Sequence, residues 1–307
     1  MTVCIAALSR FNEASIVIGA SDRMITAGDI EFEPPQTKII QLTTSIAALT
    51  AGESSAQIEI SGATLRDIKA RLAIDKSWMG VNEVAQMFSA QVLKYRQRVA
   101  QRKFLEPFGL DFSGFIREQQ QMSSDWVSEF TQKILSYNPD IETIIAGLDD
   151  SGGHIYVING FGSVACKDSI GFAAIGYGEW HARSQFMFAG HTRFASFPES
   201  ILLTYVAKKR AEVAPGVGRE TDMFIVPKLG GYVEVSVAEI DQFNAFYSDL
   251  LREQQAATGR ANAAITKYVA ELVATAAQIT QTTNTQGVIE ATATDNPTTT
   301  TPIERGD

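Results

Sequence analysis

Two antiparallel sheets packed on each other with layers of helix outside, an α+β class, is the architecture this sequence predicts. Three observations carry the expectation. Apolar, β-rich runs come in pairs separated by turn residues; blocks of such runs are followed by pairs of amphipathic helical stretches; and strand and helix never alternate singly, as a parallel sheet with crossover helices would require.

Residues 2–9 and 15–21 are apolar and β-rich, and the stretch 10–14 between them suits a hairpin loop. A polar segment holding Gly28, Pro34 and Pro35 follows Asp22, after which residues 38–42 and 45–50 read as a second hairpin. From Gly52 to about Ala73 the spacing becomes helical. Ile58, Leu65, Ile68 and Leu72 recur along it, and Ser54 or Ser55 is available to cap its start. A second amphipathic run, 82–102, places Val84, Met87, Phe88, Val92, Tyr95 and Val99 on one side. Residues 104–138 are less regular and read as a helical insertion whose clearest stretch passes Trp126, Phe130, Ile134 and Leu135.

The strand pattern resumes at 142–148 and 154–158, around the turn signal Asp149-Asp150-Ser151-Gly152-Gly153. A short strand at 171–175, helices at 178–189 and 198–212, and closing strands at 221–227 and 232–235 complete the pattern. Beyond Val237, the residues Ile240, Phe243, Tyr247, Leu250 and Leu251 define one amphipathic helix and 263–279 another, giving a C-terminal helical extension over 236–280. From Gln281 the chain turns polar and Thr-rich, and 281–307 is expected to be a disordered tail because it lacks the apolar content to fold alone.

Composition excludes several function classes. Hydrophobic residues make up 45% of the 307 and charged residues 20%, enough apolar material for a substantial core. Acidic residues outnumber basic ones 35 to 26, so the net charge of −9 argues against a nucleic-acid partner. No stretch approaches the roughly 20 apolar residues of a membrane helix, and the start shows no basic signal-peptide region, so a cytoplasmic, membrane-free protein is expected. Cys4 and Cys166 are the only cysteines, which suits a reducing compartment, and Cys4 reads as a small core residue. His154, His181 and His191 are scattered without ligand spacing, so neither a metal site nor a cofactor is expected.

The chemistry concentrates in four places: Thr2; the segment Ala20-Ser21-Asp22-Arg23-Met24-Ile25-Thr26-Ala27-Gly28; Lys38-Ile39; and Thr50-Ala51-Gly52. With Met1 removed, Thr2 would offer a hydroxyl nucleophile and an α-amine of pKa about 7.7–8.0 in one residue. A lysine beside that amine would favour its neutral, proton-accepting form, and Lys38 is the candidate. Asp22 could hold that lysine charged and oriented, while the Gly52 N–H, at a strand-to-helix junction, could donate to a developing oxyanion.

These residues resemble the pattern of proteasome β subunits, in the N-terminal-nucleophile (Ntn) hydrolase superfamily. The spacings from Asp22 to Thr26, Gly28, Lys38 and Gly52 fit that pattern without a gap, and only the hairpin between Thr2 and Asp22 is longer. Thr143-Ile144-Ile145-Ala146-Gly147-Leu148-Asp149 and Phe172-Ala173-Ala174-Ile175-Gly176-Tyr177-Gly178 look like the family's central hairpin and its strand-to-helix turn. The resemblance implies a four-layer αββα sandwich over 2–235. It also implies that Thr2, Asp22, Lys38 and Gly52 are catalytic, that Thr26 and Gly28 contact an extended peptide, and that Thr50 lines a specificity pocket. A peptide or protein substrate and a homo-oligomer follow from it; no unfoldase partner is read from the residues. Two departures stand out: Tyr177 where the family places a serine between two glycines, and Ala214-Pro215-Gly216-Val217-Gly218 where it carries an Asp-x-x-Ser-Gly loop. The expected activity is a threonine-type peptidase or amidohydrolase. A catalytically silent homologue with an assembly or binding role and a small-molecule amidase remain alternatives.

Overall fold

The computed structural model describes residues 2–27, 30–228 and 231–292, and side chains to residue 279. Strands β1 (Cys4–Phe11) and β2 (Ala14–Asp22) form the first hairpin, turning on Asn12 and Glu13, whose φ angles of 47° and 62° are those of the tight turn that matches right-handed strand twist. Two short strands, β3 (Ile25–Ala27) and β4 (Ile30–Phe32), pair with each other in the segment that reads as merely polar from sequence. The second hairpin joins β5 (Ile39–Gln41) and β6 (Ile46–Gly52).

Helices α1 (Ser54–Ile74) and α2 (Val81–Phe104) come next. Neither expected serine caps α1: the N-cap position is Glu53, and the Ser55 hydroxyl donates to the Glu53 carboxylate instead of closing the first turn. The insertion contains α3 (Phe112–Glu118) and α4 (Ser124–Ser136), with Leu105, Phe115 and Phe130 as its own small core. Then follow β7 (Ile141–Asp149), β8 (Gly152–Ile158), β9 (Val164–Cys166), β10 (Phe172–Ile175), α5 (Glu179–Phe188), α6 (Phe197–Ala211), β11 (Thr221–Pro227) and β12 (Val233–Glu234).

The protein is thus mixed α+β, with two five-stranded antiparallel sheets and a two-stranded one among the described residues. The strand orders are β10-β1-β2-β11-β12 and β5-β6-β7-β8-β9, with β3-β4 apart. One core cluster mixes residues of both large sheets, including Cys4, Ala6, Val17 and Phe224 from the first and Ala47, Leu49, Ile144 and Ala146 from the second. On its other face the second sheet packs Ile46, Ala48 and Ile145 against Ile60, Ile68, Val84 and Phe88 of α1 and α2. The first packs Ile5, Ala7 and Ala174 against Ala182, Phe186, Ala207 and Ala211 of α5 and α6. Burial on both faces explains why β1, β6 and β7 read as continuous apolar runs without polar alternation.

Contacts divide the chain into two units, Met1–Asn244 and Ala245–Asp307. The first residues of α7 (Val237–Thr292) pack on the first unit, Phe243 lying 5.8 Å from the Tyr205 ring. Two expected helices are one, running through Gly259 and on to Thr292 across the start of the expected tail; residues 293–307 of that tail lie outside the described residues. Among the described residues no helix is long and apolar enough to cross a membrane.

A polar cluster closes the β7–β8 turn. His154 Nδ1 lies 2.6 Å from Asp168 and its Nε2 3.2 Å from Asp149, while Asp149 also accepts the Val81 N–H at the start of α2. The hydrogen bond to Asp168 raises the pKa of His154 against the opposing effect of burial. Burial alone would raise both carboxyls, but bonds from Val81 and Ser151 hold Asp149 low, and bonds from His154 and Ile155 hold Asp168 low. The imidazolium's contribution is therefore complete below its unfolded pKa of about 6.5 and lost as pH rises through the higher folded value; the carboxylates' contribution is lost as pH falls below about 3.9. Melting temperatures of the wild type and His154→Gln are expected to differ most between about pH 4 and 6.5 and to converge at alkaline pH.

Candidate active site

The end of β2 delivers Asp22 to the interior with no exposed surface, and five donors converge on its carboxylate. The Thr2 hydroxyl donates to Oδ1, as does the Val3 N–H at 2.9 Å. Oδ2 accepts the N–H groups of Met24 and Gly218, each at 3.0 Å. Lys38 Nζ completes the set at 3.0 Å from Oδ1 and 3.1 Å from Oδ2. An ionised carboxylate tolerates such burial because every lone pair finds a donor and its charge faces an ammonium.

Lys38 sits just ahead of β5, where its carbonyl accepts the Thr50 N–H, so the strand pairing fixes its backbone beside Thr2. Its Nζ also donates to Thr2 Oγ1 at 2.5 Å. The hydroxyl of Thr2, only 3% exposed as a residue, is thereby held between a cation and a carboxylate. That placement is what a nucleophilic hydroxyl needs: the ammonium favours the alkoxide and the contacts fix the oxygen's position. Sequence reasoning gave Asp22 the task of orienting Lys38; the structure adds that Asp22 touches the hydroxyl itself.

Thr2, Lys38, Thr50, Gly52 and Thr26 all line one cleft of about 140 Å³, with Asp22 behind the first two. Gly28 lies outside the described residues. Gly52 has φ +107°, and a Cβ there would meet the Asp140 carbonyl oxygen at 1.9 Å. Two residues along β6 from Thr50, whose N–H points to β5, strand alternation aims the Gly52 N–H at the same edge, which is the cleft side. Gly52→Ala is expected to lower the melting temperature clearly, since both the positive φ and the clash act in the folded state; roughly 1–3 kcal/mol is the usual scale for such backbone strain alone. Thermal denaturation followed by circular dichroism measures it.

Some contributors escape the sequence. Gln57, on the first turns of α1, accepts the Thr50 hydroxyl at 2.9 Å on Oε1 and donates from Nε2 to the Gly52 carbonyl at 2.9 Å, so one side chain fixes both. Its only sequence signal is a polar residue one helical turn after the Gly52 junction. The loop carrying the 214–218 departure still serves the site, through the Gly218 N–H on Asp22. That loop is pinned by Lys208 of α6, whose fully buried ammonium donates to the carbonyls of Gly218 at 3.0 Å and Arg219 at 2.8 Å and pairs with Glu212 at 2.7 Å. Burial lowers the Lys208 pKa, and Glu212 opposes that shift.

The turn before α5 closes the site from the other side. Gly176, with φ +85°, lies so close to Thr2 that a Cβ would meet the Thr2 carbonyl oxygen at 2.5 Å, and the Gly178 N–H donates to that same oxygen at 3.2 Å. Tyr177 between them is exposed. Cys4 is no rival nucleophile: burial pushes its thiol up to about 12, a structural cysteine as expected. Among the described residues no group of three His, Cys, Asp or Glu side chains could hold a metal ion. No protein-family model matches the chain, and neither does any curated protein.

Proposed function

We propose that this protein is a threonine-type peptidase or amidohydrolase that uses Thr2 as its nucleophile after removal of Met1. One observation carries the reading: the Thr2 hydroxyl is held between Lys38 and Asp22 on the wall of a cleft that also presents Gly52. The arrangement of sheets and helices agrees with a four-layer αββα Ntn-hydrolase sandwich, which we take as the finer description of the fold.

In this mechanism the free α-amine of Thr2 takes the hydroxyl proton as Oγ1 attacks the carbonyl carbon of an amide. The Gly52 N–H stabilises the oxyanion, and the proton passes from the ammonium to the departing amine as the C–N bond breaks. Water then attacks the Thr2 ester as the amine takes one of its protons, the C–Oγ1 bond breaks, the ammonium returns that proton to Oγ1, and the acid leaves. Lys38, positioned by Asp22, favours the neutral amine and stabilises the alkoxide. An extended peptide would add beside β3, which pairs only with β4 among the described residues and carries Thr26 on the cleft wall, its buried hydroxyl without a hydrogen-bond partner there. The protein acts as a homo-oligomer in this reading.

A silent homologue with an assembly or binding role is favoured by one feature, the replacement of the family's supporting serines by Tyr177 and by the 214–218 loop, which also lacks its aspartate. Intact mass and N-terminal sequencing of protein from its native host test the proposal at its root. A chain beginning at Thr2 is expected; a retained Met1 would remove the amine base and leave the silent reading in its place.

A further inference from the structure

The cleft beside Thr2 also defines what it can hold. Among the described residues its apolar lining is Ile25, Ile40 and Ile58 with Met24, and the rest, polar residues that include Gln36, Thr37 and Ser54, is uncharged apart from Lys38. Lys38 is not available to a ligand's charge, because Asp22 already lies 3.0 and 3.1 Å from its Nζ. Among the described residues lining this space, a carboxylate would find no free cation and an ammonium no acid; either would lose its hydration without a partner there.

The floor makes no polar demand either. The Thr50 hydroxyl spends its proton on Gln57 Oε1, and Gln57 Nε2 is engaged by the Gly52 carbonyl. A substrate group reaching that floor meets two side chains that already hold hydrogen bonds to each other and to the Gly52 carbonyl, so an apolar group there leaves neither without a partner. Size is bounded as well. The volume of about 140 Å³ is close to the ~150 Å³ of a cavity that holds a benzene molecule, and part of it must admit the scissile amide over Thr2. What remains suits a branched aliphatic group rather than an aromatic side chain.

We propose that this cleft takes an uncharged, branched-aliphatic side chain, of the size of valine or leucine, on the acyl side of the amide. Gln57 and Thr50 form its floor and Ile58 its outer wall. The inference rests on the assignment of Thr2 as the attacking group for its orientation, but the selectivity of the cleft is a binding property and is tested without turnover.

The probes are fluorogenic peptide amides that differ only in the residue before the amide: valine, leucine, phenylalanine, lysine or glutamate. Their affinities for full-length Thr2→Ala protein are measured by calorimetry, and their turnover by the wild type separately. Valine and leucine peptides are expected to bind at least ~10-fold more tightly than the other three, a ratio within reach of a pocket that discriminates by one or a few methylenes or by an unpaired charge. Equal or tighter binding of the lysine, glutamate or phenylalanine peptide overturns the proposal, as does the absence of binding by any probe below about 1 mM. The expected ranking with no wild-type turnover would retain the ligand class and dismiss the hydrolase reading. Ile58→Ala, at a side chain exposed enough to leave the fold intact, is expected to raise phenylalanine relative to leucine at least ~5-fold; an unchanged ratio overturns Ile58 as the wall.

Discussion

Thr2→Ala is expected to lower kcat for amide hydrolysis by about 10⁴-fold or more while leaving the protein folded. The rate scale is that of removing a nucleophile that works as part of a unit, where the remaining groups cannot substitute for the missing bond-forming atom. The fold is expected to survive because only the hydroxyl and one methyl group are removed. Lys38 and Asp22 still meet at 3.0 and 3.1 Å, and the N–H groups of Val3, Met24 and Gly218 still satisfy the carboxylate. Loss of one hydrogen-bonding hydroxyl is worth about 1 kcal/mol or somewhat more at a charged partner. Thr2→Ser keeps the oxygen and the amine and is expected to retain measurable turnover. Initial rates for the three proteins, each with its first residue verified by mass, decide the matter. Wild-type rates in the alanine variant would assign the hydrolysis to a contaminant or another group and leave the silent homologue standing.

The residues of the site were legible because they lie within one continuous stretch of chain whose spacing a hairpin geometry constrains. Thr2, Asp22, Lys38 and Gly52 sit at or beside strand ends, and it is their spacing along the chain that resembles the proteasome β pattern. The parts that were not legible depend on distant sequence. Gly218 is 196 residues from the Asp22 it serves, and nothing in Gly216-Val217-Gly218 signals an N–H aimed at a carboxylate. Lys208 reads as one of three basic residues closing a helix, a position where a lysine ordinarily meets solvent and the helix dipole, yet it is fully buried under that loop.

The same distinction runs through the fold. The hairpins and paired helices were visible from pattern, whereas β3 and β4 were not, since three-residue strands are too short to show alternation and lie beside Pro34 and Pro35. The stretch between the two expected C-terminal helices holds Gly259, which a long helix tolerates at a cost of about 1 kcal/mol. Ile58 misled differently: it keeps helical spacing with Leu65 and Ile68 but is exposed, because the first turn of α1 faces the cleft rather than the sheet.

Asp22→Asn is expected to be the most damaging single substitution in the molecule, affecting stability and activity together. The change removes a negative charge from a site with no solvent exposure and leaves the Lys38 ammonium facing a neutral amide. Four of the five donors around the carboxylate, namely Val3, Met24, Gly218 and Lys38, have only hydrogens to offer it. An amide presents one accepting oxygen and one donating nitrogen, so whichever way Asn is turned, its NH₂ opposes N–H donors on one side. Breaking a buried ion pair from one side costs about 3–5 kcal/mol, and unsatisfied donors add to that. Urea denaturation should show the midpoint falling by an amount consistent with such a loss. Lys38→Met makes the converse test, leaving the carboxylate without its cation, and is expected to be destabilised on a similar scale. If both variants kept the wild-type midpoint, the convergence of donors on Asp22 would not be what holds Thr2, β5 and the 214–218 loop together. Turnover separates the two contributions: at a temperature where the variant remains folded, Asp22→Asn should still lose about 10²-fold or more in kcat, because Lys38 would no longer be held against Thr2.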